Sequence, residues 1–364
     1  MASPDARSYM RIRRRLPIIV AVLLVAAAVA AAVVLRKHAP PEPARLLPGA
    51  DGFAYINLGW VRRANLAGDL PAVPHDPDYE QFIQATGFQF ERDLDEAALA
   101  IHYPAKSPDA KADSAQPPRF SEVFVGKIDG ERLRAYLRQI ASSVENYKTR
   151  EIYNIALEGR TVRVAILGVD TVAASNLDDP LVIRGIIDRS RKLASPFGGP
   201  ALLRQFYKDV PFASLGWAIF KIQPSENHAA SGPIGWSFLF AKPATVVASV
   251  RYLGAVHFKV QALTGSDQEA NQLASRIDTY LNLFRTAEST VSTPGPDPDL
   301  KAFFDSLKIQ PEKTRAILTG HVPLGLIRKA LAEAPSSVSP EAQPPQSSQP
   351  PASVNKKARK KAPN

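Results

Sequence analysis

Residues 152–188, IYNIALEGRTVRVAILGVDTVAASNLDDPLVIRGIID, hold three short strands and a helix in one uninterrupted run. Ile152–Leu157 and Thr161–Leu167 flank a Glu158-Gly159 turn, with Val162, Val164 and Ile166 on one face. Gly168–Asp170 then turns the chain into Thr171–Ser175. Asp178-Asp179-Pro180 supplies an acidic cap and a helix-starting proline for Leu181–Leu193. Strands joined by tight turns and closed by a helix long enough to lie across them predict an α+β protein with mainly antiparallel sheets.

The same vocabulary extends in both directions. Upstream, Gly52–Leu58 and Ala97–Tyr103 read as strands, Gly59–Leu66 as a short helix, and Asp76-Pro77 as the cap of a helix stopped by Gly87. Phe120–Ile128 is a further strand, after a polar loop at Lys106–Arg119. Asp129 caps a helix whose inner face is Leu133, Tyr136, Leu137 and Ile140. Downstream of a break at Ser195–Pro200, a helix at Leu202–Lys208 leads to strands at Phe212–Ile222, Ile234–Phe240, Thr245–Tyr252 and Ala255–Leu263. Ser266 and Glu269 form a capping box for a helix with Leu273, Ile277, Leu281 and Phe284 inside. A helix at Asp297–Leu307, a strand at Thr314–Gly320 and a helix at Pro323–Ala332 follow. DPDYEQF at Asp76–Phe82 matches DPDLKAF at Asp297–Phe303, and Val123–Leu137 matches Ile317–Leu331 through Gly126/Gly320, Arg134/Arg328 and Leu137/Leu331. These matches predict two related subdomains, residues 47–198 and 199–334.

The ends differ in kind from this body. Leu16–Leu35 (LPIIVAVLLVAAAVAAAVVL) carries no charge over twenty residues, about 30 Å of helix, and reads as a single transmembrane segment. Five arginines in residues 1–15 precede it, an excess that places the N-terminus in the cytoplasm and everything after a Pro-rich spacer (36–46) outside, in the bacterial periplasm or at the surface. A cleaved signal peptide ending at Ala28-Val29-Ala30 would export the same body. Residues 335–364 are a Pro/Ser/Gln linker ending in Lys356, Lys357, Arg359, Lys360 and Lys361. Most of the net charge of +10 therefore sits in the two tails, which leaves the body nearly neutral and gives no sign of a nucleic-acid face.

The chain has no cysteine, which excludes disulfides, thiolate metal sites and a cysteine nucleophile. Motifs for hydrolases, zinc proteases and phosphate loops are missing as well, so no catalytic, cofactor-binding or metal-binding residue is assigned. Of the six histidines, His102 and His257 fall in strands; His257 shares a face with Lys259 and Gln261, which reads as a solvated sheet face. The carboxylates of Glu91–Glu96 and Asp178-Asp179 suit charge at strand entry and helix capping. Each tryptophan (Trp60, Trp217, Trp236) follows a glycine, a pattern of core packing at strand ends. The basic C-terminal cluster is the one sequence feature that suggests an interaction, with an anionic polymer, a lipid headgroup or an acidic envelope protein.

Leu46–Leu66, Arg119–Leu137 and Ile152–Asp188 together resemble a group of uncharacterised bacterial membrane-anchored extracytoplasmic proteins. In that group a Leu-Pro opening precedes the first strand, and a strand ending in Gly precedes a helix. A three-strand meander leads into another helix. The resemblance implies a fold and an address but no functional residue. The expected function is non-catalytic binding or scaffolding of an envelope component, with hydrolysis of wall or surface polymer and carriage of an apolar ligand as alternatives.

Overall fold

The computed structural model describes residues 39–63, 75–103, 118–157, 159–191, 198–223, 239–291 and 297–332. The segment Leu16–Leu35, the basic cluster at 356–361, the candidate strand Ile234–Phe240 up to residue 238 and most of the polar loop before Arg119 lie outside them. Among the described residues no helix is long and apolar enough to cross a membrane.

In chain order the elements are α1 (Glu42–Leu46), β1 (Gly52–Asn57), α2 (Leu58–Arg63), α3 (Pro77–Thr86), α4 (Phe90–Asp93), β2 (Leu94–His102), β3 (Arg119–Gly126), α5 (Gly130–Ile140), β4 (Ser143–Tyr147), β5 (Arg150–Leu157), β6 (Arg160–Ile166), β7 (Thr171–Ser175) and α6 (Leu181–Arg191). The second half adds α7 (Ala201–Phe206) with a 3₁₀ turn at Tyr207–Asp209, β8 (Gly216–Ile222), β9 (Ala244–Tyr252), β10 (Val256–Leu263), α8 (Asp267–Val291), α9 (Pro298–Ser306), β11 (Lys308–Glu312), β12 (Arg315–Val322) and α10 (Leu324–Ala332). Local chemistry sets the boundaries as the sequence suggests. Asp76 and Asp129 accept backbone N–H bonds at the starts of α3 and α5, and Gly87 takes the left-handed conformation (φ 73°) that ends α3.

The described strands form one antiparallel sheet of twelve, in the order β11-β12-β10-β9-β8-β1-β2-β3-β7-β6-β5-β4. The two halves of the chain thus share a sheet, joined where β1 pairs with β8 (Gly52 opposite Phe220, Ile56 opposite Gly216). Counting outward from that seam, β1, β2, β3, β7, β6 on one side face β8, β9, β10, β12, β11 on the other, so the connections run in the same order twice. The two sequence matches do not follow this order. They set β3 and α5 against β12 and α10, whereas β12 occupies the place of β7.

One row of side chains can be followed across the sheet through its register. Ile152, Ala165, Ala173, Val123, Ala98, Tyr55 and Trp217 stand side by side on one face, and all are buried. Their cover is α1 with Ala44, Leu46 and Leu47, α6 with Ile183, Ile186 and Ile187, and α7 with Leu202 and Leu203. Each fully buried isoleucine of α6 contributes roughly 1.5–3 kcal/mol of transfer free energy. On the opposite face α3 and α5 pack over Tyr153, Ile166 and Val172. There α8 covers Phe220, Val246, Ala262 and Ala316.

The buried row changes character after Trp217. It continues through Ser249, Lys259, Thr319 and Lys308. In the first half the helix after β7 covers this face, but α10, the helix after β12, leans on α9 instead, with Lys329 holding Asp297 and Asp299. Because α9 packs on the other face through Phe303 against Phe258, no described helix covers this face of β9, β10 and β12 beyond Gln261, which is buried beneath the Tyr207–Asp209 turn.

Candidate functional site: a basic basin

The uncovered face holds two cross-strand rows. Arg251, His257 and His321 stand directly opposite one another on β9, β10 and β12. Two residues along, Ser249, Lys259, Thr319 and Lys308 form the second row. Directly opposed side chains lie about 5 Å apart at Cβ, so the two rows make a patch about 14 Å long and 7 Å wide. The imidazole centroids of His257 and His321 are 5.9 Å apart. A cavity of about 310 Å³ opens over these groups, and its lining contains no carboxylate.

The basic side chains of the basin are free of commitments. Among the described residues Arg251, Lys259, Lys308, His257 and His321 form no salt bridge and no side-chain hydrogen bond. Elsewhere Arg62, Arg119, Arg134, Arg138, Lys148, Arg184, Lys242 and Arg315 are each paired with a carboxylate, while Arg63, Arg150, Arg160, Arg204, Lys208, Lys221 and Lys313 form no salt bridge or side-chain hydrogen bond among the described residues. The basin differs in gathering five basic groups around one cavity. A second cavity, of about 190 Å³ between residues 239–243 and α8, illustrates the difference: Lys242 there binds Glu269 at 2.6 Å and Arg276 donates to the Leu239 carbonyl. Like charges gathered without counter-charges repel, and an arrangement of this kind is relieved by an anion. The hydroxyl of Ser306 is already used, bonding the Phe303 and His321 carbonyls and accepting from the His321 N–H, which fixes the end of β12 beneath the His321 ring.

The groups singled out in the sequence fall elsewhere or serve the fold. Asp93 is buried against Arg92, whose guanidinium holds its carboxyl below the usual range. Asp95 pairs with Arg62, Asp178 with Arg119, and Asp179 caps α6 through the Leu181 N–H. Glu96 is half-buried beside Tyr55, and burial pushes its carboxyl up. His102 is half-buried; its Nε2 has no partner among the described residues, and burial lowers its pKa. Six residues of strand separate it from Glu96, about 20 Å, and four strand spacings put His257 about 19 Å away, so neither histidine reaches the carboxylates of 93–96 for proton transfer. Trp217 is core, stacked on Tyr55 at 5.7 Å and edge-on to Tyr207, whose hydroxyl burial pushes up to about 12. Trp60 is partly exposed against Tyr252, and Trp236 lies outside the described residues. No group of three or more metal-ligating side chains is present among the described residues.

Sequence reasoning placed His257 and Lys259 on one face but missed Arg251, Lys308, Thr319 and His321 as their neighbours. Only the pairing register of four strands brings these residues together, and no local spacing carries it.

No family model matches the chain, and no curated protein matches it. The solved structure of TP0453 in crystal form III aligns with 80% of this chain and 98% of its own, at a TM-score of 0.42 and 11% identity. Crystal form I aligns over 80% and 97%, at 0.40 and 10%. Likeness at this level carries no argument about function.

Proposed function

We propose that this chain is a membrane-tethered, non-catalytic binding protein that holds an anionic envelope component in the basin on β9, β10, β11 and β12. The observation that carries the reading is the set of five basic side chains with neither a salt bridge nor a neighbouring carboxylate among the described residues. On this reading Leu16–Leu35 is the tether, with the arginine-rich N-terminus in the cytoplasm and the body outside. Two related halves share the sheet, and the divergence of α10 from the position of α6 leaves the binding face open in one of them. The C-terminal cluster of Lys356, Lys357, Arg359, Lys360 and Lys361 adds a second cationic element. It follows α10 by some 24 residues in the sequence, and on this reading it engages the same polyanion.

Crosslinking in intact cells tests the reading, comparing the full chain, a truncation after Ala334, and an Arg251→Gln, Lys259→Gln, Lys308→Gln triple variant. The account expects a reproducible anionic partner that the triple variant loses and the truncation retains at reduced yield. Equal capture by the triple variant and the unaltered chain contradicts it.

A further inference from the structure

We infer, building on the anion-binding reading, that the group held in the basin is a phosphomonoester and that His257 and His321 take up protons as it binds, so that capture strengthens as the pH falls through neutrality. The two imidazoles face each other across β10 and β12 at 5.9 Å. The groups around them are Arg251 from β9, Lys259 from the same strand as His257, Thr319 from the same strand as His321, and Lys308 from β11, with the Ser306 hydroxyl at the end of α9 bonded to the β12 backbone. Along this face the carboxylates of Asp209 and Glu312 stand about Arg315, six residues from His321, about 20 Å along β12, and Asp305, the residue before Ser306, is paired with Lys301.

In the empty basin the two rings stand among Arg251, Lys259 and Lys308, with no carboxylate in the cavity lining. A bound dianion reverses that balance and favours the charged imidazoles. Binding and protonation are then linked: what the anion does for the proton, the proton does equally for the anion. The donors also select the anion. Three permanent cations and two rings converge from four strands, more than the two coplanar oxygens and single charge of a carboxylate can use. A phosphomonoester offers three terminal oxygens and close to two charges near neutral pH, with a second pKa of about 6 beside the imidazole value of about 6.5.

The test is isothermal titration of the full-length protein in neutral detergent micelles with glycerol 3-phosphate, at about pH 6.5 and about pH 8, in two buffers of different ionisation enthalpy at each pH. The expected result is uptake approaching one proton near neutrality and about fivefold to tenfold tighter binding at the lower pH, with acetate at least about tenfold weaker throughout. A His257→Asn, His321→Asn double variant should bind at the higher pH and lose the pH dependence. If circular dichroism shows that it does not fold, His321→Asn alone should halve the proton uptake. Phosphatidic acid added to the micelles competes if the phosphomonoester is a lipid headgroup and does not if it belongs to a soluble or polymeric ligand. Tight binding without proton uptake, or acetate binding as well as the phosphomonoester, overturns this inference and leaves anion binding intact. No binding of any anion overturns both.

Discussion

Replacing Lys259 by Gln should weaken anion binding far more than replacing Lys308, and the geometry sets the ratio. Lys259 stands in the middle of the second row, half-buried between the buried Ser249 and the half-buried Thr319, and directly beside the His257–Arg251 row. A hydrogen bond to a charged group in such a setting contributes about 1.5–3 kcal/mol, so its loss should cost roughly 10- to 150-fold in affinity. Lys308 lies on the edge strand and is exposed, where screened ion pairs contribute about 0.2–1 kcal/mol, at most about fivefold. Because Lys259 has no carboxylate partner among the described residues, the substitution removes no ion pair and relieves repulsion from Arg251 and Lys308. The variant should be as stable as the unaltered protein, or slightly more stable, in thermal unfolding followed by circular dichroism. Titration with a phosphomonoester measures the affinities. Equal losses from the two substitutions would mean that the basin acts as a diffuse field and not as a site, and a destabilised Lys259→Gln would mean that the lysine holds the fold.

Other consequences concern the sheet itself. Ile186→Ala, which empties a fully buried position where α6 crosses the sheet, should cost about 2–5 kcal/mol in urea unfolding. Glu122 sits on the opposite face with its carboxyl pushed up by burial, so its stabilising contribution is full below its unfolded pKa and lost as the pH rises through the folded one. Glu122→Gln should therefore stabilise the protein near neutral pH, and melts at descending pH should show that gain vanishing toward about pH 4. Gly126→Ala should cost about 1–3 kcal/mol by thermal melting, because a Cβ there would overlap the backbone at Asp93, which cannot rotate away as a side chain could.

Elements with strong local signals were legible from the sequence. The caps Asp76 and Asp129, the stop at Gly87 and the alternation along β6 fixed their elements nearly to the residue. Strands β4 and β11 went unread because their hairpins turn at Lys148-Thr149 and Lys313-Thr314, without the glycine, asparagine or aspartate that usually marks a two-residue loop, although Lys148, Thr149 and Lys313 take positive φ. β11 also contains Pro311, which an edge strand tolerates and a central one does not. The joining of both halves through β1 and β8 was unreadable for a different reason. Gly52–Asn57 and Gly216–Ile222 are 164 residues apart at their starts, and pairing at that range leaves no local trace. The basin shares this fate, since its rows exist only once the register is set.

Crystals of the protein soaked in tungstate, a tetrahedral dianion with a strong anomalous signal, would test the central claim most directly. The account predicts an anomalous peak among Arg251, His257, Lys259 and His321. A map with no peak there, or with its strongest peak beside Arg315 at the far end of the face, would contradict it.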